Sequence, residues 1–198
     1  MERKNFVIGI TYDLKDDYLK EGFSKEDVAE FDSLETINSL ESTISNLGFK
    51  AEKIGNIRSL CSALAFGKKW DLVFNIAEGV SGIAREAQVP VILEAYNIPY
   101  TFSDPAVSIL TLDKSLSKRL VKSAGLKTPN FYVISKINDI DKISIDYPLF
   151  AKPVAEGTGK GIDNKSKINS YDELKEVSLR LLTDFKQPVL IEEYLPGR

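Results

Sequence analysis

Apolar and polar positions in the first half of the chain form short blocks whose period changes between that of a strand and that of a helix. The apolar run NFVIGI (5–10) is typical of a buried strand. The segment after Asp32 spaces its apolar residues as one face of a helix does, at Leu34, Ile37, Leu40, Ile44 and Leu47. Asp32 with Glu35 predicts a capping box at the start of this helix, and Gly48 predicts its end.

The same alternation continues to about residue 103. Strands are predicted at 49–54 and 70–76, helices at 57–67 and 86–96, and a short extended segment at 98–102. Strands that alternate with helices indicate an α/β fold with a parallel sheet and right-handed crossovers.

The pattern changes beyond Ser103. A helix is predicted at 115–124, and the runs NFYVIS, YPLFAKP and QPVLIEEYL are typical of strands. A last helix is expected to begin at a capping box formed by Ser170 and Glu173. These strands predict an antiparallel hairpin sheet with helices on one side, so we expect two domains, 1–103 and 104–198.

The composition excludes several classes of protein to which the chain could otherwise belong. The 198 residues contain no apolar run near the ~20 that a membrane helix needs, and the start lacks a signal peptide, which predicts a soluble cytoplasmic protein. Cys61 is the only cysteine and is expected in the core. The absence of histidine excludes Ser-His-Asp hydrolysis and histidine-bound zinc. A net charge of −3 predicts no nucleic-acid partner, so any polyanion must be bound locally.

The segment KPVAEGTGKGI (152–162) contains glycine at every second position, Gly157, Gly159 and Gly161. Such a loop lets backbone N–H groups approach a ligand, and phosphate is the ligand that these nests often bind. The loop matches neither the Walker A motif nor the Rossmann fingerprint. A solvent-exposed hairpin turn explains the spacing equally well.

Charged residues flank this loop in sequence. Lys152 ends an apolar strand, where an ammonium group is costly unless it meets an anion or water. Lys114, Lys118 and Lys122 share one face of the helix after Asp113, and for the last two a solvated surface is the favoured interpretation. Two carboxylates at the end of the last strand, Glu192 and Glu193, fit either an exposed strand end or a hinge that receives an adenine amino group.

Five segments in this order resemble the ATP-grasp superfamily, and more narrowly the D-alanine–D-alanine ligase group. They are WDLVFNIAEG, REAQVPVILEAYNIPYTFSDP, LTLDKSLSKRLVKSAGLKTP, YPLFAKPVAEGTGKGI and PVLIEEYLPGR. The resemblance implies a Rossmann-like parallel-sheet preATP-grasp domain followed by an α+β ATP-grasp subdomain with an antiparallel sheet.

The resemblance also implies site residues and chemistry. Lys114 and Lys152 would reach the α and β phosphates of ATP, and the glycine loop would cover the γ-phosphate and exclude water. The loop residues are Gly157, Thr158, Gly159 and Gly161, and the adenine hinge comprises Glu192, Glu193, Tyr194 and Leu195. With Mg²⁺, ATP would phosphorylate a carboxylate of an amino-acid substrate, and an amine would capture the acyl phosphate, as in peptidoglycan biosynthesis. Family members are often homodimers.

The chain departs from the family at three places. GITYDLKDDYLKEG replaces the family's Gly-Gly-x-Ser-x-Glu stretch, and Gly159 replaces a loop hydroxyl. AEGVSGIARE replaces a histidine-containing loop, where Glu78 and Arg85 are candidate substrate contacts or, equally, a surface ion pair or helix cap. The family continues beyond LPGR with a ribose-binding glutamate and the magnesium carboxylates, so we expect a truncated chain that is inactive alone.

Three functions remain open from the sequence. The first is an ATP-dependent carboxylate–amine ligase, for D-alanine or for a different amino acid. The second is a non-catalytic nucleotide-binding or regulatory module with the same fold. The third, a Rossmann-like sugar or nucleotide binder, lacks a glycine fingerprint after the first strand.

Overall fold

A computed structural model describes residues 5–197, which divide into two compact units between Ile109 and Leu110. This division falls inside helix α5 (Pro105–Leu112), whereas the boundary predicted from the sequence lies just before that helix. Within the described residues, no helix combines the length and the hydropathy that crossing a bilayer requires.

The first unit contains a parallel sheet of three strands in the order β2-β1-β3. The strands are β1 (Val7–Thr11), β2 (Lys50–Gly55) and β3 (Leu72–Asn75). The helices are α1 (Lys15–Lys20), α2 (Leu34–Asn46), α3 (Ile57–Ala65) and α4 (Gln88–Ala95), the last preceded by a 3₁₀ turn at Arg85–Ala87. The parallel α/β sheet predicted from the alternating pattern is confirmed.

Central strand β1 is covered on both faces. Ile8 and Ile10 pack with Ile44 of α2 on one face. On the other face, the side chains of Ile54 and Trp70 pack directly against Gly9, where a Cβ would lie 2.4 Å from the Ile54 Cδ1 and 3.0 Å from Trp70 ring atoms. Burial on both faces explains why β1 is a continuous apolar run rather than an alternating one.

Local details of the first unit differ from the prediction. Ser33, not Asp32, caps α2, since its Oγ accepts a hydrogen bond from the Thr36 N–H at 3.2 Å. The Asp32 backbone instead bonds to Asp13 and Lys15, next to α1, which is too short to show a periodic pattern. Cys61 is exposed rather than in the core, because α3 turns Leu60 and Leu64 inwards, and Cys61 is rotated about 100° from Leu60 around the helix.

The second unit contains an antiparallel sheet in the order β4-β7-β5-β6. The strands are β4 (Phe131–Ile134), β5 (Leu149–Pro153), β6 (Lys167–Ile168) and β7 (Val189–Glu193). Helix α6 (Lys114–Ser123) precedes the sheet, a 3₁₀ helix spans Ile137–Lys142, and α7 (Tyr171–Phe185) lies between β6 and β7 in sequence. The predicted antiparallel sheet is confirmed, and the two-residue β6 is an addition.

Helix α7 packs its apolar face on one side of this sheet. Leu174 and Leu181 of α7 share a buried cluster with Leu149, Ala151 and Ile191 of strands β5 and β7. Because side chains alternate along a strand, the residues between these, including Lys152 and Glu192, lie on the opposite face of the sheet.

The start of α7 uses both residues of the predicted capping box, but not in the expected pairing. The Ser170 Oγ accepts from the Glu173 N–H at 3.3 Å. The Glu173 carboxylate accepts from the N–H of Asn169, one residue before the cap, at 2.7 Å. Both bonds satisfy N–H groups near the helix start.

Candidate functional site

Glu192 is the centre of a charged cluster on the sheet face opposite α7. Its Oε1 lies 2.6 Å from the Lys152 Nζ, and its Oε2 lies 2.7 Å from the Lys118 Nζ. The Glu192 side chain is only 10 % exposed. Burial alone would raise the pKa of this carboxyl, but hydrogen bonds from Lys118 and Lys152 outweigh burial and hold the pKa below its usual range. Glu192 is therefore a carboxylate at neutral pH.

Lys118 is held more firmly than a surface lysine. Its Nζ also donates to the Thr128 Oγ1 at 2.7 Å and lies 5.1 Å from the centroid of the Phe131 ring. The side chain is 12 % exposed. The expectation of a solvated surface is thus wrong for Lys118, whereas Lys122 is exposed. The i+4 spacing shows that Lys114, Lys118 and Lys122 share one helix face, but it does not show that the Glu192 carboxylate lies against Lys118.

Lys114 is the first residue of α6, and Asp113 caps that helix. The Lys114 N–H donates to the Val154 carbonyl at 3.1 Å, and its Nζ contacts the carbonyls of Val154 and Glu156. These two carbonyls lie just before the glycine loop, so the structure brings Lys114 to the base of that loop.

The glycine loop is a pair of tight turns. The Lys160 N–H donates to the Gly157 carbonyl at 2.9 Å, and the Ile162 N–H donates to the Gly159 carbonyl at 3.0 Å. Thr158, Gly159 and Gly161 have positive φ angles of 45°, 78° and 73°. For Thr158 this conformation is unusual and costs energy, which makes it a feature to explain by function.

Polar side chains close the base of this loop. Lys160 and Glu156 form an ion pair of 2.8 Å, with side chains 12 % and 15 % exposed. Glu156 also accepts from the Gln187 Nε2 at 2.6 Å, and the Gln187 Oε1 accepts from the Ala155 N–H at 2.7 Å. The loop is therefore anchored to the segment that leads into β7.

The predicted hinge residues beyond Glu192 differ in their surroundings. The Glu193 carboxylate accepts two hydrogen bonds from Asn130, from the backbone N–H at 2.9 Å and from Nδ2 at 2.8 Å, and these bonds lower its pKa. Tyr194 stacks near Phe150, with ring centroids 6.3 Å apart, and Leu195 is exposed. The Glu193 side chain thus ties β7 to the start of β4.

In the first unit, Arg85 is buried rather than at the surface. Its Nη2 lies 2.8 Å from the Glu30 Oε2, with side chains 8 % and 7 % exposed, and 3.6 Å from the Glu86 Oε1. Glu78 is half-buried nearby. The pKa of Glu78 is raised to about 7, mainly by burial and to a smaller extent by the negative charges of Glu86 and Glu30, while the positive charge of Arg85 opposes them.

Asp13 is a member of this group that sequence reasoning missed. It is buried, and its carboxylate accepts from the Tyr18 hydroxyl at 2.5 Å and from the Gly79 N–H at 2.9 Å. Asp13 follows β1 and Glu78 follows β3, so both lie at the carboxyl edge of the parallel sheet, where α/β proteins commonly bind ligands. The position of Asp13 just after a buried strand is the feature of the sequence that could have identified it as a candidate site residue.

Residues 5–197 contain no group of three histidine, cysteine, aspartate or glutamate side chains that lie close enough together to hold a metal ion.

The chain is similar in sequence and in fold to proteins of known function. No family model matches the chain. The chain is 33 % identical over 168 residues to the D-alanine–D-alanine ligase of Aquifex aeolicus, which covers 84 % of this chain and 55 % of that protein.

Two solved structures share the fold. The D-alanine–D-alanine ligase of Bacillus anthracis, solved in complex with ATP, gives a TM-score of 0.69 at 22 % identity over 98 % of this chain and 58 % of that one. The D-Ala:D-Ser ligase of Enterococcus faecalis gives 0.70 at 21 % identity, over 98 % and 64 %. The matches thus cover 55 % of the Aquifex aeolicus ligase and 58 % and 64 % of the two solved chains.

Proposed function

We propose, from the premise that the chain belongs to the D-alanine–D-alanine ligase family of ATP-grasp proteins, that its second unit forms the nucleotide-binding part of an ATP-dependent ligase. The reaction would join the carboxylate of one small amino acid to the amine of another.

The observation that carries this proposal is the joint position of Lys152, Lys114 and the glycine loop within one unit. Lys152 lies beside Glu192, and Lys114 contacts the carbonyls at the base of the loop. Two ammonium groups and a turn with successive positive φ angles form a donor set suited to a polyphosphate.

The proposed mechanism relies on positioning and charge. A carboxylate oxygen of the substrate attacks the γ-phosphorus of ATP, and ADP leaves. An amine nitrogen then attacks the acyl carbon, phosphate leaves, and the amine loses a proton. Lys152 and Lys114 offset the negative charge of the phosphates, and the closed loop of residues 157–161 keeps water from the acyl phosphate.

Substrate choice is proposed to involve Glu78 in the first unit. A carboxylate that is half-buried among Asp13, Glu30 and Glu86 favours a cationic group such as the ammonium of an amino acid. Arg85 is already paired with Glu30, so it orders the group rather than binding substrate by itself. By analogy with the family, we also propose a cytoplasmic homodimer.

A second candidate function is nucleotide binding without catalysis. Lys114 and Lys152 support it as well, because binding a nucleotide requires only that the two ammonium groups exchange their protein contacts for phosphate oxygens. A ligase must in addition carry the bound phosphate through turnover.

Phosphate release from ATP tests the two functions. The protein at its native length, with Mg²⁺ supplied, is assayed against a panel of amino acids that includes D-alanine and D-serine, with dipeptide measured in parallel. Amino-acid-dependent release with matching dipeptide supports the ligase. Nucleotide binding without release supports the module, and the absence of nucleotide binding contradicts both.

A further inference from the structure

We propose that Lys118 is the permanent counter-ion of Glu192, and that this positioning role leaves Lys152 available to the phosphates of a nucleotide. The inference rests on the proposed nucleotide site and adds a residue to it. It separates two lysines that contact the same carboxylate and assigns them different roles.

The contacts of the two ammonium groups are unequal. Lys118 donates to Glu192 and to the Thr128 hydroxyl, both at 2.7 Å, and it lies over the Phe131 ring. Lys152 contacts the other oxygen of Glu192 at 2.6 Å, lies farther from its nearest ring, at 5.8 Å from the Phe150 centroid, and is 22 % exposed against 12 % for Lys118. Lys152 is therefore the lysine that can turn away from Glu192 at lower cost.

The buried charge of Glu192 explains why a second lysine is required. If Lys152 were its only partner, moving Lys152 to a phosphate would leave a buried carboxylate unpaired, which is strongly unfavourable. With Lys118 in place, Glu192 keeps one short ion pair throughout. The carboxylate also stays ionised and aligned for the adenine amino group that the proposed hinge would receive.

A purely structural role for Lys118 predicts different behaviour. If Lys118 only ties α6 to the sheet, its loss lowers stability and weakens all adenine ligands alike. If Lys118 compensates Glu192, its loss locks Lys152 onto Glu192, and the affinity falls mainly for ligands that carry phosphates.

The test is calorimetric titration of the protein with ATP and ADP, with adenosine measured by competition. The variants are Lys118→Met, Lys118→Gln, which keeps a polar group for Thr128 without the charge, and Lys118→Arg, which keeps the charge. We expect Lys118→Met and Lys118→Gln to weaken ATP and ADP by about tenfold and adenosine by about twofold or less. Lys118→Arg should restore most of the affinity for ATP.

Two further variants complete the test. Lys122→Met removes an exposed charge from the same helix and should leave all three affinities unchanged. In a Glu192→Gln background, Lys118→Met should cause no additional loss, because no buried charge remains to be compensated.

The outcomes are distinguishable. Equal losses for ATP and adenosine, or a full additional loss in the Glu192→Gln background, would overturn the role of Lys118 and leave the nucleotide site standing. A wild-type protein that binds none of the three ligands would overturn the proposed function, and this inference with it. Melting curves of each variant separate lost binding from lost folding, and the Gln and Arg variants decide the question if Lys118→Met does not fold.

Discussion

At the scale of single residues, the central feature of the second unit is the set of ammonium groups that form ion pairs with Glu192. In the sequence, a carboxylate at the end of a strand is an ordinary surface feature. Here the carboxylate is buried and contacts two ammonium groups through different oxygens. Such a group is costly to disturb, which makes each of its partners a sensitive test of function.

Lys152→Met removes the lysine proposed to reach the phosphates. We expect the affinity for ATP to fall by about 1 to 3 kcal/mol, the range for a lost charge-assisted hydrogen bond, since Lys118 still compensates Glu192. Titration with ATP measures the loss. Lys175→Met, an exposed lysine of α7, is the matched control and should bind as the wild type does. An unchanged affinity for Lys152→Met would assign Lys152 a structural role instead.

Glu78 should make the stability of the first unit depend on pH. Its pKa is raised from an ordinary 4.5 to about 7 in the fold, mainly by burial, so the folded state binds a proton that the unfolded state has lost. The stabilisation from this group is complete below pH 4.5 and is lost as the pH rises through about 7.

Glu78→Gln should therefore be more stable than the wild type at pH 8, by about 1 to 2 kcal/mol after allowance for solvent screening, and similar to it near pH 4. Denaturant unfolding at a series of pH values measures the difference. Glu26→Gln, an exposed change in the same unit, should keep the wild-type pH dependence. A Glu78→Gln advantage that is constant with pH would contradict the raised pKa.

At the scale of elements, the glycine loop consists of an anchored end and an open tip. A Cβ at Gly161 would lie 2.6 Å from the Pro153 Cγ and 2.9 Å from two ring atoms of Phe185. A Cβ at Gly159 would meet nothing within 4 Å. Both positions have positive φ, so they share the backbone strain and differ only in packing.

Gly161→Ala should lower the free energy of unfolding by about 2 to 4 kcal/mol, because strain and overpacking act together. Gly159→Ala should cost only about 1 kcal/mol, from backbone strain alone. Denaturant titrations of the two variants give the comparison. Equal losses would show that Gly161 is not tightly packed against Pro153 and Phe185.

At the scale of the whole molecule, each unit has its own buried core. Leu93 belongs to the cluster that contains Trp70, the only tryptophan, and Leu181 belongs to the cluster between α7 and the antiparallel sheet. Both leucines are fully buried. Tryptophan fluorescence therefore reports directly on the first core.

Leu93→Ala should lower the free energy of unfolding seen by Trp70 fluorescence by about 2 to 5 kcal/mol, the range for a cavity left by a truncated leucine. Leu181→Ala is the same change in the other core. It should shift the fluorescence transition much less than the transition followed by far-ultraviolet circular dichroism. Equal shifts of the fluorescence transition by the two variants would contradict separate cores.

Much of the architecture follows from the sequence alone. The change from alternating strands and helices to a cluster of later strands predicted a parallel sheet and then an antiparallel one, and both are present. The position of Lys152 at the end of an apolar strand also predicted that its ammonium group meets an anion or water, and in the structure it contacts the Glu192 carboxylate. These features are local, since hydrophobic periodicity reports which face of an element is buried.

Only the tertiary structure decided which charges meet. The helical row of Lys114, Lys118 and Lys122 looks uniform in sequence, yet the fold pairs Lys118 with Glu192, brings Lys114 to the base of the glycine loop and leaves Lys122 exposed. Arg85 likewise meets Glu30 rather than solvent. Periodicity identifies a face and not the partner opposite it, because that partner comes from distant sequence and is selected by the packing of whole elements.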